Sequence, residues 1–307
     1  MLERGGSLDS QAQLKKAVDM LVGATPPVGA AISEWRSGFE RMCSSFDVPA
    51  DAHIEQVDED GVRGLAITAH GASVDRLVMH LHSGGYVMGS SKAYRNFACR
   101  LSAATDATVF VVDYRLAPEH PYPAAVEDAL AAFRWCNRRQ DAARTIISGD
   151  SAGGGLALAT LLALRDAQAQ APIAGIAISP LLDLSGEGDS MRANAGSDPL
   201  IDRNMVVQMG KVYIGEIDPH EHPLASPLWG KHHDLPPLFL TASASEVLKD
   251  DVVRVADSIR RAGGHVTVSL PEGMIHIWTL FPFLREAAHS LALIGDFARE
   301  RWSSGRT

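Results

Sequence analysis

The chain has 307 residues, 46% of them hydrophobic and 21% charged, and this composition excludes disorder, collagen and low-complexity sequence. Its 28 basic and 37 acidic residues give a net charge of −9, which argues against nucleic acid or an anionic membrane as the main partner. The length allows one large α/β domain or two small ones.

Three features favour a cytoplasmic protein without a membrane partner. The longest apolar stretch, Gly155 to Leu164, is far shorter than the roughly 20 residues that span a bilayer. The start of the chain lacks the apolar core of a signal peptide. Cys43, Cys99 and Cys136 are widely spaced and form no CxxC pair, so we expect buried free thiols in a reducing compartment.

The predicted elements begin with helix. Apolar residues recur with helical spacing within residues 7–43, and a Pro-Pro-Val-Gly break at 26–29 divides this stretch in two. From about residue 54 strands and helices alternate. Strands are predicted at 64–68, 76–81, 107–112, 144–148, 173–179, 237–242 and 265–270, and helices at 123–138, 152–167, 250–263 and 279–302. This alternation indicates an α/β fold with a mostly parallel sheet and helices on both faces.

Residues 181–235 interrupt the alternation. The segment is rich in Gly, Pro, Asp and His and contains one helix-like stretch, near 201–213. Because a loop of this length inside a compact domain is usually a lid or cap, we expect a helical cap built from residues 1–50 and an insertion at about 181–220. Residues 51–307 would then form the catalytic domain.

The sharpest local signal is a G-x-S-x-G sequence at residues 149–153, placed between a predicted strand and a predicted helix. A sharp strand-to-helix turn exposes the hydroxyl of Ser151, and the helix N-terminus behind it directs N–H groups towards a developing oxyanion. In this context a nucleophilic serine is favoured over a glycine-rich turn that only packs tightly or binds phosphate.

A second signal, His82-Ser83-Gly84-Gly85, follows the strand at 76–81. It lies where H-G-G-G loops supply backbone N–H groups to an oxyanion hole, and glycine lets the backbone face the site without a side chain in the way. Its order relative to the serine turn favours this interpretation over an ordinary glycine turn.

Together these motifs resemble those of the hormone-sensitive-lipase-type branch of the α/β-hydrolase family, in particular its bacterial carboxylesterases. The resemblance covers about residues 54–302. It is carried by residues 82–85, 113–125 (DYRLAPEHPYPAA), 149–154, 235–237, 246–251 (EVLKDD) and 273–276. It implies an α/β-hydrolase fold with a mostly parallel eight-stranded sheet flanked by helices, an N-terminal cap, ester hydrolysis and no cofactor. Arg115 and Glu119 would brace a loop rather than touch substrate.

The resemblance also assigns the oxyanion hole, with one departure. It implies the backbone N–H groups of Gly84, Gly85 and Ala152 as donors. The family pattern usually has glycine where this chain has Ser83, so a Cβ and a hydroxyl are expected beside the alcohol part of the ester. A hydroxyl that instead hydrogen bonds within the loop is the alternative.

Ser151 needs a base and an orienting acid. His276 follows the strand at 265–270 and precedes the last helix, the place expected for the base in the order Ser…acid…His. By motif register Glu246 takes the position that Asp usually holds in the family. Asp250 stays open as the acid, with a structural role as the N-cap of the helix at 250–263 as its other interpretation.

We therefore predict a serine carboxylesterase that hydrolyses short- to medium-chain esters through an acyl-enzyme on Ser151. Hydrolysis of a cyclic ester, such as a terpenoid lactone, stays open because the chemistry at the carbonyl is the same. A non-catalytic ligand-binding relative is disfavoured, since all three triad positions hold competent residues.

The expected partner is a small-molecule ester, and no metal or cofactor is expected. The family pattern is compatible with a homodimer through the strand at 265–270. Candidates for pocket lining, which could equally be core, are Trp35, Phe39, Met42, Tyr86, Val87, Met88, Met205, Met209 and Tyr213.

Overall fold

The computed structural model describes residues 8–27, 29–199 and 201–304. In these ranges eight strands form one sheet. The strands are β1 His53–Glu59, β2 Val62–Thr68, β3 Leu77–Leu81, β4 Thr108–Val112, β5 Thr145–Asp150, β6 Ala174–Ile178, β7 Leu238–Thr241 and β8 Val266–Ser269. The helices are α1 Leu8–Ala24, α2 Ile32–Ser44, α3 Arg95–Thr105, α4 Ala124–Arg139, α5 Ala152–Asp166, α6 Ser190–Ala193, α7 Arg203–Ile214, α8 Lys249–Arg261 and α9 Arg285–Ser304.

The sheet order is β1-β2-β4-β3-β5-β6-β7-β8. β2 pairs antiparallel with β1 and with β4, and the other pairs are parallel. β3 and β5 are neighbours, and their register pairs Leu81 with Gly149. The glycine loop that leaves β3 and the serine turn that leaves β5 therefore emerge side by side at the carboxyl edge of the sheet.

Both faces of the sheet are covered, which explains the near-continuous apolar sequence of the central strands. Successive residues of β4 belong to two different apolar cores, Val109 to one and Phe110 to the other, because side chains alternate across a strand. One core also contains residues of α4, α5, α7 and α8, and the other contains residues of α1, α2, α3 and α9.

The predicted α/β fold is confirmed, whereas β1, α3 and the four-residue helix α6 were not predicted. β1 carries side chains that are exposed at every position except Val57, so its sequence lacks the apolar signal of a buried strand. α3 buries polar Asn96, Ser102 and Thr105 among its apolar residues, which weakens its helical pattern. The last helix starts at Arg285 rather than near 279, since Pro282 cannot lie inside a helix.

The three cysteines are buried free thiols, as expected. Within the described part of the chain, no helix has both the length and the apolar character that crossing a membrane requires.

Candidate active site

Ser151 lies at a sharp turn between β5 and α5. Its φ of 52° and ψ of −121° fall in a region that L-residues rarely adopt. A Cβ at Gly153 would collide with the backbone oxygen of Leu81, and one at Gly149 would collide with the backbone of Gly153. The turn therefore needs glycine on both sides of the serine, which explains the spacing of the sequence motif.

His276 lies in the loop between β8 and α9, and its Nε2 is 2.9 Å from Ser151 Oγ. The imidazole is buried, as is the serine. This distance lies within the hydrogen-bond range required of a nucleophile and its base. The structure thus brings together two side chains that are 125 positions apart.

Glu246 follows β7, and its Oε2 is 2.7 Å from His276 Nδ1. Its second oxygen, Oε1, accepts a hydrogen bond from the backbone N–H of Ser243 at 2.8 Å. Both oxygens of this fully buried carboxylate therefore have a hydrogen-bond partner. Its contact with the imidazole fixes the ring so that Nε2 faces the serine.

Asp250 contacts neither His276 nor the serine turn through a hydrogen bond. Its Oδ2 accepts the backbone N–H of Ser190 at 2.7 Å, at the first residue of α6. The expectation that it caps its own helix was wrong, because α8 starts one residue earlier, at Lys249 after Leu248 as the N-cap. Asp250 instead ties α6, within the 181–235 segment, to α8.

The electrostatics of the pair favour a charged imidazole. Burial alone would favour the neutral ring, but the hydrogen bond and the charge of Glu246 outweigh it, so the pKa of His276 is raised. Burial raises the pKa of Glu246, and the hydrogen bond from His276 opposes that rise. The carboxylate of Asp198 adds a further negative charge that acts on both groups.

Asp198, Glu246 and His276 each offer one ligand atom, and these atoms lie within 4.8 Å of one another. It is the one such group found among the described residues. His276 Nδ1 and Glu246 Oε2 already hydrogen bond to each other at 2.7 Å, so a metal ion here would have to break the contact that orients the imidazole.

Two glycines of the loop after β3, Gly84 and Gly85, line the same cavity as Ser151. Gly84 and Gly85 have φ values of 123° and 61°, which glycine adopts without strain. Within the described residues, neither of these N–H groups donates to a backbone or side-chain acceptor. Ala152 is the first residue of α5, so its N–H has no partner within the helix.

His82 is held by its own loop. Its Nδ1 lies 2.8 Å from the backbone oxygen of Ser83, and its ring stacks on Tyr114 with centroids 4.3 Å apart. Burial lowers the pKa of His82. A neutral, buried ring without a carboxylate partner is suited to shaping the loop.

The side chain of Ser83 hydrogen bonds within the protein. Its Oγ is 2.5 Å from the hydroxyl of Tyr94, which in turn lies 2.6 Å from Oδ2 of Asp150. Neither Tyr94 nor Asp150 was singled out from the sequence as a site residue. Asp150 stands next to the serine within its motif, but Tyr94 precedes α3, the helix that the sequence pattern did not reveal.

A largely apolar cavity opens onto Ser151. Helices α1, α2 and α7 contribute eight of its eighteen lining residues. Of the candidates named from sequence, Trp35, Phe39, Met42, Met88, Met205 and Met209 line it, whereas Tyr86, Val87 and Tyr213 do not. A Cβ at Gly85 would collide with Sδ of Met209, so α7 packs directly on the glycine loop.

The 113–125 motif braces this arrangement, as expected. Arg115 hydrogen bonds to Asp128, Glu127 and the backbone of Ala124. Glu119 pairs with Arg36 of α2, whose Nε also donates to the backbone oxygen of Val87 at 2.7 Å. The helix α2 is thereby fastened to the loop that follows the two glycines.

The sheet order, the serine turn and the loops that carry Glu246 and His276 define the class of α/β hydrolases. The model of a protein family described as "alpha/beta hydrolase fold" matches residues 78–280. An esterase from the bacterial hormone-sensitive lipase family has a crystal structure that is 34% identical, with a TM-score of 0.92, covering 97% of this chain and 99% of that one.

Two relatives agree with this likeness. An acetyl-hydrolase of Streptomyces hygroscopicus is 38% identical over 75% of this chain and 77% of its own length. An esterase of Acinetobacter venetianus is 33% identical over 86% of this chain and 87% of its own. The chain belongs to the α/β-hydrolase family, in its bacterial hormone-sensitive-lipase-type branch.

Proposed function

We propose that this carboxylic-ester hydrolase works through an acyl-enzyme on Ser151. The observation that carries the proposal is the unbroken hydrogen-bonded series from Ser151 through His276 to Glu246, at 2.9 and 2.7 Å. The alternative of a non-catalytic binding protein would not need this series.

In the first half of the reaction, Ser151 Oγ forms a bond to the ester carbonyl carbon while its proton moves to His276 Nε2. The carbonyl oxygen becomes an oxyanion, which accepts from the backbone N–H groups of Gly84, Gly85 and Ala152. As this intermediate collapses, the bond to the alcohol breaks and His276 gives the proton to the leaving oxygen.

In the second half, water attacks the acyl carbon and His276 takes one of its protons. The bond to Ser151 Oγ then breaks, the proton returns to the serine, and the carboxylic acid leaves. Glu246 holds the ring throughout and stabilises the imidazolium that forms twice in each cycle.

In this proposal residues 1–50, of which 1–7 lie outside the described residues, and about 181–220 act as the cap. Residues 51–307 apart from this insertion carry the chemistry. Helices α1, α2 and α7 close the cavity over Ser151. Its cavity volume of about 50 Å³ would hold only a few water molecules. This size suits short acyl groups, with longer chains reaching towards the open side.

Two further properties belong to the proposal. The outer strand β8 leaves one edge of the sheet free, and such an edge can pair with a second copy of the chain to form a homodimer. Sedimentation of the purified protein tests this pairing. The three buried free thiols fit a reducing compartment such as the cytoplasm.

The test is hydrolysis of p-nitrophenyl esters with acyl chains from acetyl to dodecanoyl, together with lactones of matched size, by wild type and Ser151→Ala. We expect wild type to turn over the shorter esters fastest. Ser151→Ala should lose about 10⁴- to 10⁶-fold in kcat and keep the circular dichroism and melting curve of a folded protein. A variant that retains a tenth of wild-type activity would overturn the assignment.

A further inference from the structure

A buried series of polar side chains joins the glycine loop to the serine turn, and the reaction steps above do not use it. Oδ1 of Asp150 lies 3.1 Å from His80 Nε2, and its Oδ2 lies 2.6 Å from the hydroxyl of Tyr94. That hydroxyl is also 2.5 Å from Ser83 Oγ and 2.9 Å from the Ser83 backbone nitrogen. All four residues are at most 1% exposed.

The number of available protons determines which group donates in each hydrogen bond of the series. Tyr94 has one hydroxyl proton for two neighbouring acceptors, Ser83 Oγ and Asp150 Oδ2. The carboxylate is the stronger acceptor, so Tyr94 donates to Asp150, and the Ser83 hydroxyl supplies the proton of the remaining contact. Tyr94 then accepts from both the hydroxyl and the backbone N–H of Ser83. A glycine at this position would keep only the backbone contact.

The two ends of this hydrogen-bonded series lie next to residues of the proposed active site. Ser83 immediately precedes Gly84, and Asp150 immediately precedes Ser151. A single phenol, that of Tyr94, therefore bridges the neighbour of an oxyanion donor and the neighbour of the nucleophile. The pairing of Leu81 with Gly149 fixes the distance between β3 and β5. The Tyr94 bridge links Ser83 to Asp150 beyond this pair, where the chain after β3 has left the sheet.

We propose that Ser83, Tyr94 and Asp150 are positioning residues that hold the oxyanion donors of Gly84 and Gly85 at a fixed distance from Ser151. The proposal rests on the proposed function. Donors must point to where the oxyanion will form, and an error of about 1 Å in such a site can cost about 100-fold in rate. Glycine loops are flexible, so a side-chain link is a physical means of fixing this one.

The same geometry bears on the departure noted in the sequence. The Ser83 hydroxyl points to Tyr94, which agrees with the alternative of a hydrogen bond within the protein. Loss of the hydroxyl should therefore slow the hydrolysis of ethyl and tert-butyl esters to the same extent. A steric gate would instead raise the relative rate of the tert-butyl ester in Ser83→Gly.

The experiment compares wild type with Ser83→Ala, Tyr94→Phe and the double variant. We expect each single variant to lose about 10- to 100-fold in kcat with KM within about twofold. Affinity for a boronic acid, which mimics the tetrahedral intermediate, should fall by the same factor as kcat. The double variant should be no slower than the slower single variant, because both changes break one bridge.

Ser102→Ala is the matched control. Ser102 is a buried serine of α3 whose hydroxyl accepts from the backbone of Ala69 at 2.9 Å and donates to that of Ala107 at 2.6 Å. The change removes the same atom and lowers the melting temperature, but kcat and boronic-acid affinity should stay at wild-type values.

The proposal is overturned if Ser83→Ala melts lower, as Ser102→Ala does, yet keeps wild-type kcat and boronic-acid affinity. It is also overturned if only the ratio between tert-butyl and ethyl esters changes. Labelling with a phosphonate probe separates this result from failure of the proposed function. Labelling of Ser151 in wild type leaves that function standing, whereas a wild type without label at Ser151 overturns both.

Discussion

Two buried histidines lie in the loops around Ser151, and their surroundings differ. His276 has a carboxylate on one ring nitrogen and the serine on the other, and its pKa is raised. His82 contacts the backbone of its own loop and stacks on Tyr114, and burial lowers its pKa. Both side chains are buried histidines. They differ because Glu246 contacts Nδ1 of His276, and this carboxylate favours the protonated ring.

The largest expected effect separates the two histidines directly. His276→Ala should lose about 10⁴- to 10⁶-fold in kcat, as Ser151→Ala does, because the two side chains act as a unit. His82→Ala should lose far less than this and should melt at a lower temperature, since it removes a ring stack and a hydrogen bond within the loop. The reverse order in kcat, measured with one ester, would show that the base is His82.

The next largest effect concerns Glu246, the carboxylate that contacts His276. Glu246→Gln keeps the shape of the side chain but removes the charge that stabilises the imidazolium, so kcat should fall by roughly 10²- to 10⁴-fold. Asp250→Asn should change stability and rate little, because an amide oxygen can still accept the backbone N–H of Ser190 at the start of α6. A large loss of kcat in Asp250→Asn alone would transfer the role of the acid to Asp250.

The smallest effect is a shift in pH dependence. A general base acts in its neutral form, so kcat/KM should rise with pH through the pKa of His276. Because this pKa is raised, the midpoint of the rise should lie above the ordinary histidine value of about 6.5. Removing a negative charge should move it to lower pH, further in Glu246→Gln than in Asp198→Asn. A midpoint that stays in place in both variants would contradict this electrostatic account.

Much of this comparison could be predicted from the sequence, because reactive side chains lie within motifs of fixed spacing. The serine turn requires glycine at positions 149 and 153. His276 follows the last strand, which is the place expected for the base after the serine and the acid in chain order. Only motif register separated Glu246 from Asp250 in the sequence, since both follow β7 closely. The structure places Glu246 against His276 and directs Asp250 to Ser190.

The contacts that could not be predicted join side chains with no shared motif. Tyr94 and Asp150 are 56 positions apart, and their meeting depends on the packing of α3, a helix with a weak apolar pattern. Asp198 approaches Glu246 from the short loop between α6 and α7, where no periodicity guides a prediction. Long-range polar contacts of this kind follow from tertiary packing and leave no local pattern.

The most direct measurement traps the acyl-enzyme. Wild type is mixed with excess p-nitrophenyl ester, quenched in acid during turnover, and analysed by intact mass and peptide mapping. The account predicts one acyl group per chain, bound to Ser151, and none in Ser151→Ala under the same conditions. Rapid release of p-nitrophenol by a wild-type protein whose acyl group sits on another residue would contradict it.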